Sequence, residues 1–262
     1  MTSSRIALSK VPEVTALFWI VKVVTTGAGE TGSDFLVTHL NPVLGVGIGF
    51  VLFVAAMVLQ FRSARYIPAL YWFAVVMVSV FGTMCADVIH VGLDVPYLVS
   101  APVFAVTLAV VLVAWRRSEG TLSIHSVTTR RRETFYWATV LATFALGTAT
   151  GDLTASTLHL GYLASGILFA VVIAVPAAGY ASGLFGPILA FWFAYIVTRP
   201  IGASFADWMG VSPARSGLGW GTGEVTLALL VVIASLVLAL SIRRPKDPAA
   251  RHSARSSLRV GG

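Results

Sequence analysis

The stretch FWIVKVVTTGAGETGSD, residues 18–34, starts as an apolar membrane helix and then sets a lysine, a glutamate and an aspartate into one span. Its frame returns three times, as YWFAVVMVSVFGTMCAD at 71–87, YWATVLATFALGTATGD at 136–152 and FWFAYIVTRPIGASFAD at 191–207. Aligned without gaps, the four copies share [FY]-W-x9-G-x4-D: Trp19/Gly29/Asp34, Trp72/Gly82/Asp87, Trp137/Gly147/Asp152 and Trp192/Gly202/Asp207. An apolar, nearly featureless run such as VTLALLVVIASLVLAL follows each copy, so each repeat reads as a hairpin of one polar and one apolar helix.

Composition agrees with a membrane protein. The 262-residue chain is 57% hydrophobic and 11% charged, against roughly 25% charged residues in soluble domains. Eight runs reach the length of about 20 residues that a spanning helix needs, near 13–38, 42–61, 67–91, 96–115, 134–157, 160–180, 185–209 and 222–242. The expected fold is an all-α polytopic membrane bundle of eight transmembrane helices, built from repeats at 11–62, 66–116, 130–180 and 185–244. One domain then covers 1–245, and the basic tail 246–262 is expected to be disordered and drawn to anionic lipid. Nothing near the N-terminus resembles a cleaved signal, so the first helix is expected to serve as the anchor. The lone Cys85 excludes an internal disulfide and a cysteine-based zinc site.

All of the 18 Lys and Arg residues except Lys22, Arg199 and Arg215 fall on one side of this topology. The positive-inside rule makes that side cytoplasmic, with both termini there, and a bacterial inner membrane is the expected location. The net charge of +7 is then a topology signal that gives no reason to expect nucleic-acid binding.

Two crossings per repeat make the four motif helices parallel. Fifteen residues separate each Trp from its Asp by about 22 Å and about 60° of helix rotation. Trp19, Trp72, Trp137 and Trp192 are therefore expected as aromatic anchors at the cytoplasmic interface, with the aspartates at one common depth toward the other side. Gly29, Gly82, Gly147 and Gly202 face a neighbouring side suited to close helix contact. An aspartate facing lipid costs about 2.5 to 3.5 kcal/mol on insertion scales, so Asp34, Asp87, Asp152 and Asp207 should point inward. Like charges meeting there would favour bound protons or a bound cation. The bland alternative is that each Asp only caps its helix.

Glu30 lies one turn before Asp34, where the other copies carry Thr83, Thr148 and Ala203. The Glu30/Asp34 pair shares a helix face and offers oxygen ligands to a divalent ion. Lys22 and Arg199 are the candidate counter-ions. Each is about 12 Å along its own helix from the acid eight residues later, so it reaches another helix's carboxylate or snorkels, and snorkelling is expected for Lys22. Pro200 is expected to kink its helix and free backbone carbonyls. His39, His90 and His159 follow the motif at irregular spacings and read as interfacial residues more than a metal triad. Thr25, Thr26, Thr143, Thr148, Thr150 and Thr154 read mostly as backbone-bonded helix threonines. GLGWGTG at 217–223 lacks the Lys-Ser/Thr of a phosphate loop and reads as a flexible connection.

The four motif stretches, taken with GLGWGTG in order, resemble the bacterial inner-membrane proteins of unknown function built from four tandem two-helix repeats, each with a characteristic Trp. That resemblance implies architecture and no settled activity. GETGSD is also similar to the Glu-x-Gly-Asp elements of small repeat-built cation exporters, with one extra residue between Gly32 and Asp34. The expected function is a transporter of a small cation, a hard divalent ion such as manganese or a proton-coupled one, acting through the carboxylates. The expected partners are the bilayer, the cation or proton, and a second copy of the chain. A non-transporting scaffold and an intramembrane enzyme using Glu30 with Asp34 are the competing readings.

Overall fold

A computed structural model describes residues 9–242, so Arg5, the basic residues from Arg243 onward and the tail 246–262 lie outside the described residues. Among the described residues nine α-helices follow in order: α1 (Ala16–His39), α2 (Pro42–Arg62), α3 (Pro68–Asp87), α4 (Tyr97–Glu119), α5 (Arg130–Asp152), α6 (Tyr162–Val172), α7 (Ala174–Ala181), α8 (Pro187–Gly210) and α9 (Thr222–Ile242). No strand occurs among the described residues. The starts follow local chemistry. The Thr15 hydroxyl accepts from Phe18 N, Asn41 Oδ1 accepts from Val43 N ahead of Pro42, and proline stands in the first turn of α3 and α8, where its missing N–H costs nothing.

Among the described residues, six helical stretches are long and apolar enough to cross a bilayer: α2, α3 with its extension to Gly92, α4, Tyr162–Ala181, α8 and α9. The protein is thus a membrane-spanning helical bundle. The motif helices α1 and α5 fall short on composition, α1 because Lys22, Glu30 and Asp34 share it, and α5 because threonines and terminal charges dilute its apolar run.

The motif places each helix in the bundle. In α3 and α8, 61% of the apolar window is buried, against 17% to 28% in α2, α4, α6–α7 and α9. The motif helices α1, α3, α5 and α8 form an inner ring, and the apolar helices lie outside it. Ring neighbours touch in cyclic order, α1 to α3, α3 to α5, α5 to α8 and α8 back to α1. Each outer helix packs on the ring helix of the following repeat: α2 on α3, α4 on α5, α6 on α8, and the last helix, α9, on the first, α1. The chain thereby closes on itself with a pseudo-fourfold axis along the helices.

Two layers repeat this order at side-chain level. At one end the Phe/Tyr-Trp dipeptides make a closed aromatic ring, in which Phe18 meets Trp72, Tyr71 meets Trp137, Tyr136 meets Trp192 and Phe191 meets Trp19, with centroids 5.5–6.2 Å apart. Ten residues further along, each motif glycine receives one residue of the next repeat: Gly29 faces Ser79, Gly82 faces Phe144, Gly147 faces Arg199 and Gly202 faces Thr26. These partners occupy one register position, seven residues after the Trp. The equal-register contacts require the four helices to run in the same direction.

Several expectations need correction. Trp72, Trp137 and Trp192 are buried in the aromatic ring and do not anchor the chain at a lipid interface. An aromatic ring of the preceding ring helix and the Phe or Tyr just before each Trp in its own helix hold them there. The run expected at 160–180 is present as the membrane-length stretch Tyr162–Ala181, with a single-residue interruption at Ile173 that divides it into α6 and α7 and Pro176 just beyond. Pro200, by contrast, sits within an uninterrupted α8. GLGWGTG is an ordered cap: Leu218, Trp220 and Gly221 donate backbone N–H groups to the carbonyls of Trp208, Met209 and Gly210 at the end of α8. Gly219 and Gly221 adopt positive φ to allow the return.

A Cβ on Gly202 would come within 2.5 Å of the Val23 carbonyl, which is backbone and cannot swing away, whereas one on the lipid-facing Gly47 would meet nothing within 4 Å. Gly202→Ala should therefore lower the thermal unfolding midpoint in detergent, with an overpacking cost of about 1–3 kcal/mol, while Gly47→Ala leaves it unchanged or slightly raised. Equal midpoints for the two variants would contradict the close ring contact.

Candidate functional site

One residue past each motif glycine, the ring carries Glu30, Thr83, Thr148 and Ala203 at a common level. The fourth copy offers only a methyl there, and Arg199, one turn earlier on α8, supplies the polar group at this level. Its guanidinium is fully buried and reaches all three other ring helices. Nη2 donates to the Glu30 carboxylate, to the Thr83 hydroxyl and, at 2.6 Å, to the Thr148 hydroxyl; Nη1 donates to the Thr26 carbonyl at 3.0 Å. Thr83 in turn donates to Glu30 Oε2 at 3.2 Å. The two hydrogens of Nη2 are shared among its three acceptors, Nε has no partner, and the planar spread of Nη1 and Nη2 reaches two levels of acceptor that a lysine ammonium would not span.

The acids gather just beyond. One oxygen each from Glu30, Asp152 and Asp207 lie within 4.8 Å of one another, a spacing that oxygen ligands around one hard cation can adopt. Glu30 and Asp207 are buried, and Asp207 Oδ1 has no hydrogen-bond partner. Asp152 is half-buried, with the Tyr97 phenol against it. Asp34 and Asp87, also half-buried, face the same group at electrostatic range without joining the tight triplet. Four aspartates thus gather toward one end of the ring, beyond the Arg199–Glu30 pair at its middle. At the rim, Arg215 Nη2 donates to the Tyr162 hydroxyl at 2.8 Å. Partial burial opposes the Arg215 charge, but Tyr162, Asp34 and Asp207 outweigh it and hold its pKa above the usual arginine value, so it is a fixed positive charge.

Glu30 and Asp34 do not act as the isolated pair their spacing suggests, because Glu30 is turned to Arg199. Lys22 does not snorkel. It is 1% exposed, with its ammonium 4.3 Å from the Phe144 ring centre and 4.2 Å from that of Tyr195, and Nζ has no hydrogen-bond partner. Facing aromatic rings attract a cation, and they keep this one inside the ring, on the Trp side of Arg199. His39 is exposed, His90 stacks on Tyr97 and its Nδ1 lies 2.8 Å from the Val95 carbonyl, and His159 is exposed at positive φ; none joins the grouped acids among the described residues. Thr25, Thr26, Thr143, Thr150 and Thr154 donate to carbonyls of their own helices, while Thr148 accepts from Arg199. Tyr97 and Tyr162 were not singled out by motif reading. Both stand ten residues after a motif Asp and open the returning helix, and each faces the Asp of the following repeat. That shared offset is the signal that marks them.

Removing one member of a buried ion pair leaves the other charge unpaired, at a cost of about 3–5 kcal/mol. Arg199→Met should sharply lower the yield and thermal midpoint of folded protein in detergent, Arg199→Lys should not restore them, and Glu30→Met combined with Arg199→Met should recover most of the loss. Additive losses in the double variant would show that the pair is not coupled as described.

Four segments of the chain, residues 17–66, 70–121, 135–182 and 190–245, match the family described as Repeat of Unknown Function (DUF347). No curated protein and no solved structure matches the chain. With four tandem copies of that repeat covering most of its length, the chain belongs to the Repeat of Unknown Function (DUF347) family.

Proposed function

We propose that the protein is a transporter of a small cation, with the interior carboxylates as its binding centre. In this reading all four repeats cross the bilayer twice, α1 and α5 included, and the Trp ends of the motif helices face the cytoplasm of a bacterial cell. The orientation rests on Lys10, Arg62, Arg65, Arg116, Arg117 and Arg130–Arg132, which lie toward the Trp ends, while Arg215 lies at the acid end. A second copy of the chain is a further expected partner.

The observation that carries the reading is the meeting of Glu30, Asp152 and Asp207 oxygens inside a closed ring, with a buried Asp207 oxygen left without a donor. Intramembrane acids held together are costly unless protons or a cation balance them. An all-oxygen donor set suits hard ions such as manganese or magnesium over soft ones. Asp34, Asp87 and Asp152 are only half-buried, while Lys22, Phe144, Tyr195 and the Trp ring close the other end, so the arrangement supports access from the acid side in this state. Passage inward would then require Arg199 to release Glu30.

The scaffold reading draws on the same Arg199 network, which ties all four ring helices whether or not an ion binds. The enzyme reading has less support, because Glu30 is committed to Arg199. Asp152→Asn and Asp207→Asn separate the readings. In proteoliposomes loaded with a manganese-sensitive dye, the wild-type protein should carry manganese and both variants should lose at least about tenfold of the rate while keeping the wild-type elution profile. Equal flux in all three proteins, or none above empty liposomes across a panel of monovalent and divalent cations, would remove the transport reading and leave the scaffold.

A further inference from the structure

An apolar cleft of about 600 Å³ opens beside the Trp end of the ring, within the size range of sites that bury a small ligand. It lies between α7, which supplies one wall, and the starts of α8 and α1. Trp19, Ile173, Pro176, Tyr180 and Phe191 line it, and Ile124 from the α4–α5 connection closes one wall. The surfaces around it, at Val175, Leu184 and Leu189, are exposed and apolar, as befits contact with lipid chains.

The same connection is flanked by cations. Arg116 and Arg117 end α4 and Arg130–Arg132 begin α5. Glu119 takes up two of them, Arg132 at 3.0 Å and Arg131 at 3.3 Å. Arg116, Arg117 and Arg130 are exposed and make no ion pair among the described residues. We infer that this cleft is a binding site for one anionic phospholipid, with an acyl chain in the apolar groove and the phosphate held by the unpaired arginines that end α4 and begin α5, on either side of the connection whose Leu122–His125 segment lines the groove. Apolar lining alone would accept any lipid. The arginines make the choice of headgroup, since each basic side chain near the surface favours an anionic lipid by a readable amount. The inference stands apart from the cation reading and is tested without transport.

The test uses the full chain in nanodiscs of phosphatidylcholine alone or mixed with phosphatidylglycerol, followed by native mass spectrometry of the released complexes and by thermal unfolding. The wild-type protein should retain one phosphatidylglycerol, enriched about tenfold or more over its share of the bilayer, and unfold at a higher temperature in the mixed discs. Ala177→Trp, which places a large ring in the groove from an exposed position, should abolish both effects. Neutralising Arg116, Arg117 and Arg130 together to Gln should abolish the headgroup preference and spare the retained chain. Equal retention of the two lipids by the wild-type protein would overturn the inference. So would a preference that survives Ala177→Trp, or release of the protein as a dimer sealed through this cleft.

Discussion

A guanidinium inside a lipid-embedded bundle is tolerated only if its charge is answered, and the two terminal nitrogens of Arg199 find partners on every other helix of the ring, while its Nε has none. Glu30 answers the charge, Thr83 and Thr148 accept from the same nitrogen, and the Thr26 carbonyl takes the other. This requirement sets the spacing of the ring at its middle. Gly147 must lack a side chain because the Arg199 stem passes where its Cβ would be. The motif glycine and the central arginine are thus two sides of one contact.

The backbone is close to fourfold while the chemistry is not. Seven residues after the motif Trp, the copies carry Thr26, Ser79, Phe144 and Arg199; three residues after it, Lys22, Val75, Val140 and Tyr195. A shared hairpin supplies four equivalent positions per layer, and substitution has made each layer asymmetric. One cation meets one acid at the centre, one ammonium rests between rings borne by two other helices, and the surplus of acids collects at one end.

Much of this was legible in the chain. A motif repeated without gaps fixes a common face, a common depth and a common direction, and the glycine in it marks a close approach; those readings need only helix geometry. The partner of each face was not legible, because periodicity says that a residue points inward and not which neighbour it meets. The pairing of each outer helix with the following repeat, and of the last helix with the first, therefore emerged only in three dimensions. Lys22 and the tryptophans were misplaced for a related reason. Snorkelling and interfacial anchoring are expectations for a helix facing lipid, and these side chains face aromatic rings inside the bundle, Lys22 those of the adjacent α8 and the opposite α5, the tryptophans those of the preceding ring helix. The break at Ile173 lies in a run whose composition is as apolar as its neighbours, with Pro176 as its one warning.

The central claim is that the acids at the end of the ring form one shared cation site. Anomalous diffraction from crystals grown with manganese addresses it directly, because manganese scatters where carbon, nitrogen and oxygen do not. The account predicts a single peak bounded by the Glu30, Asp152 and Asp207 carboxylates, weakened or lost in crystals of Asp207→Asn. Crystals saturated with manganese that show no peak there, with each carboxylate instead bound to its own water or to a protein donor, would contradict it.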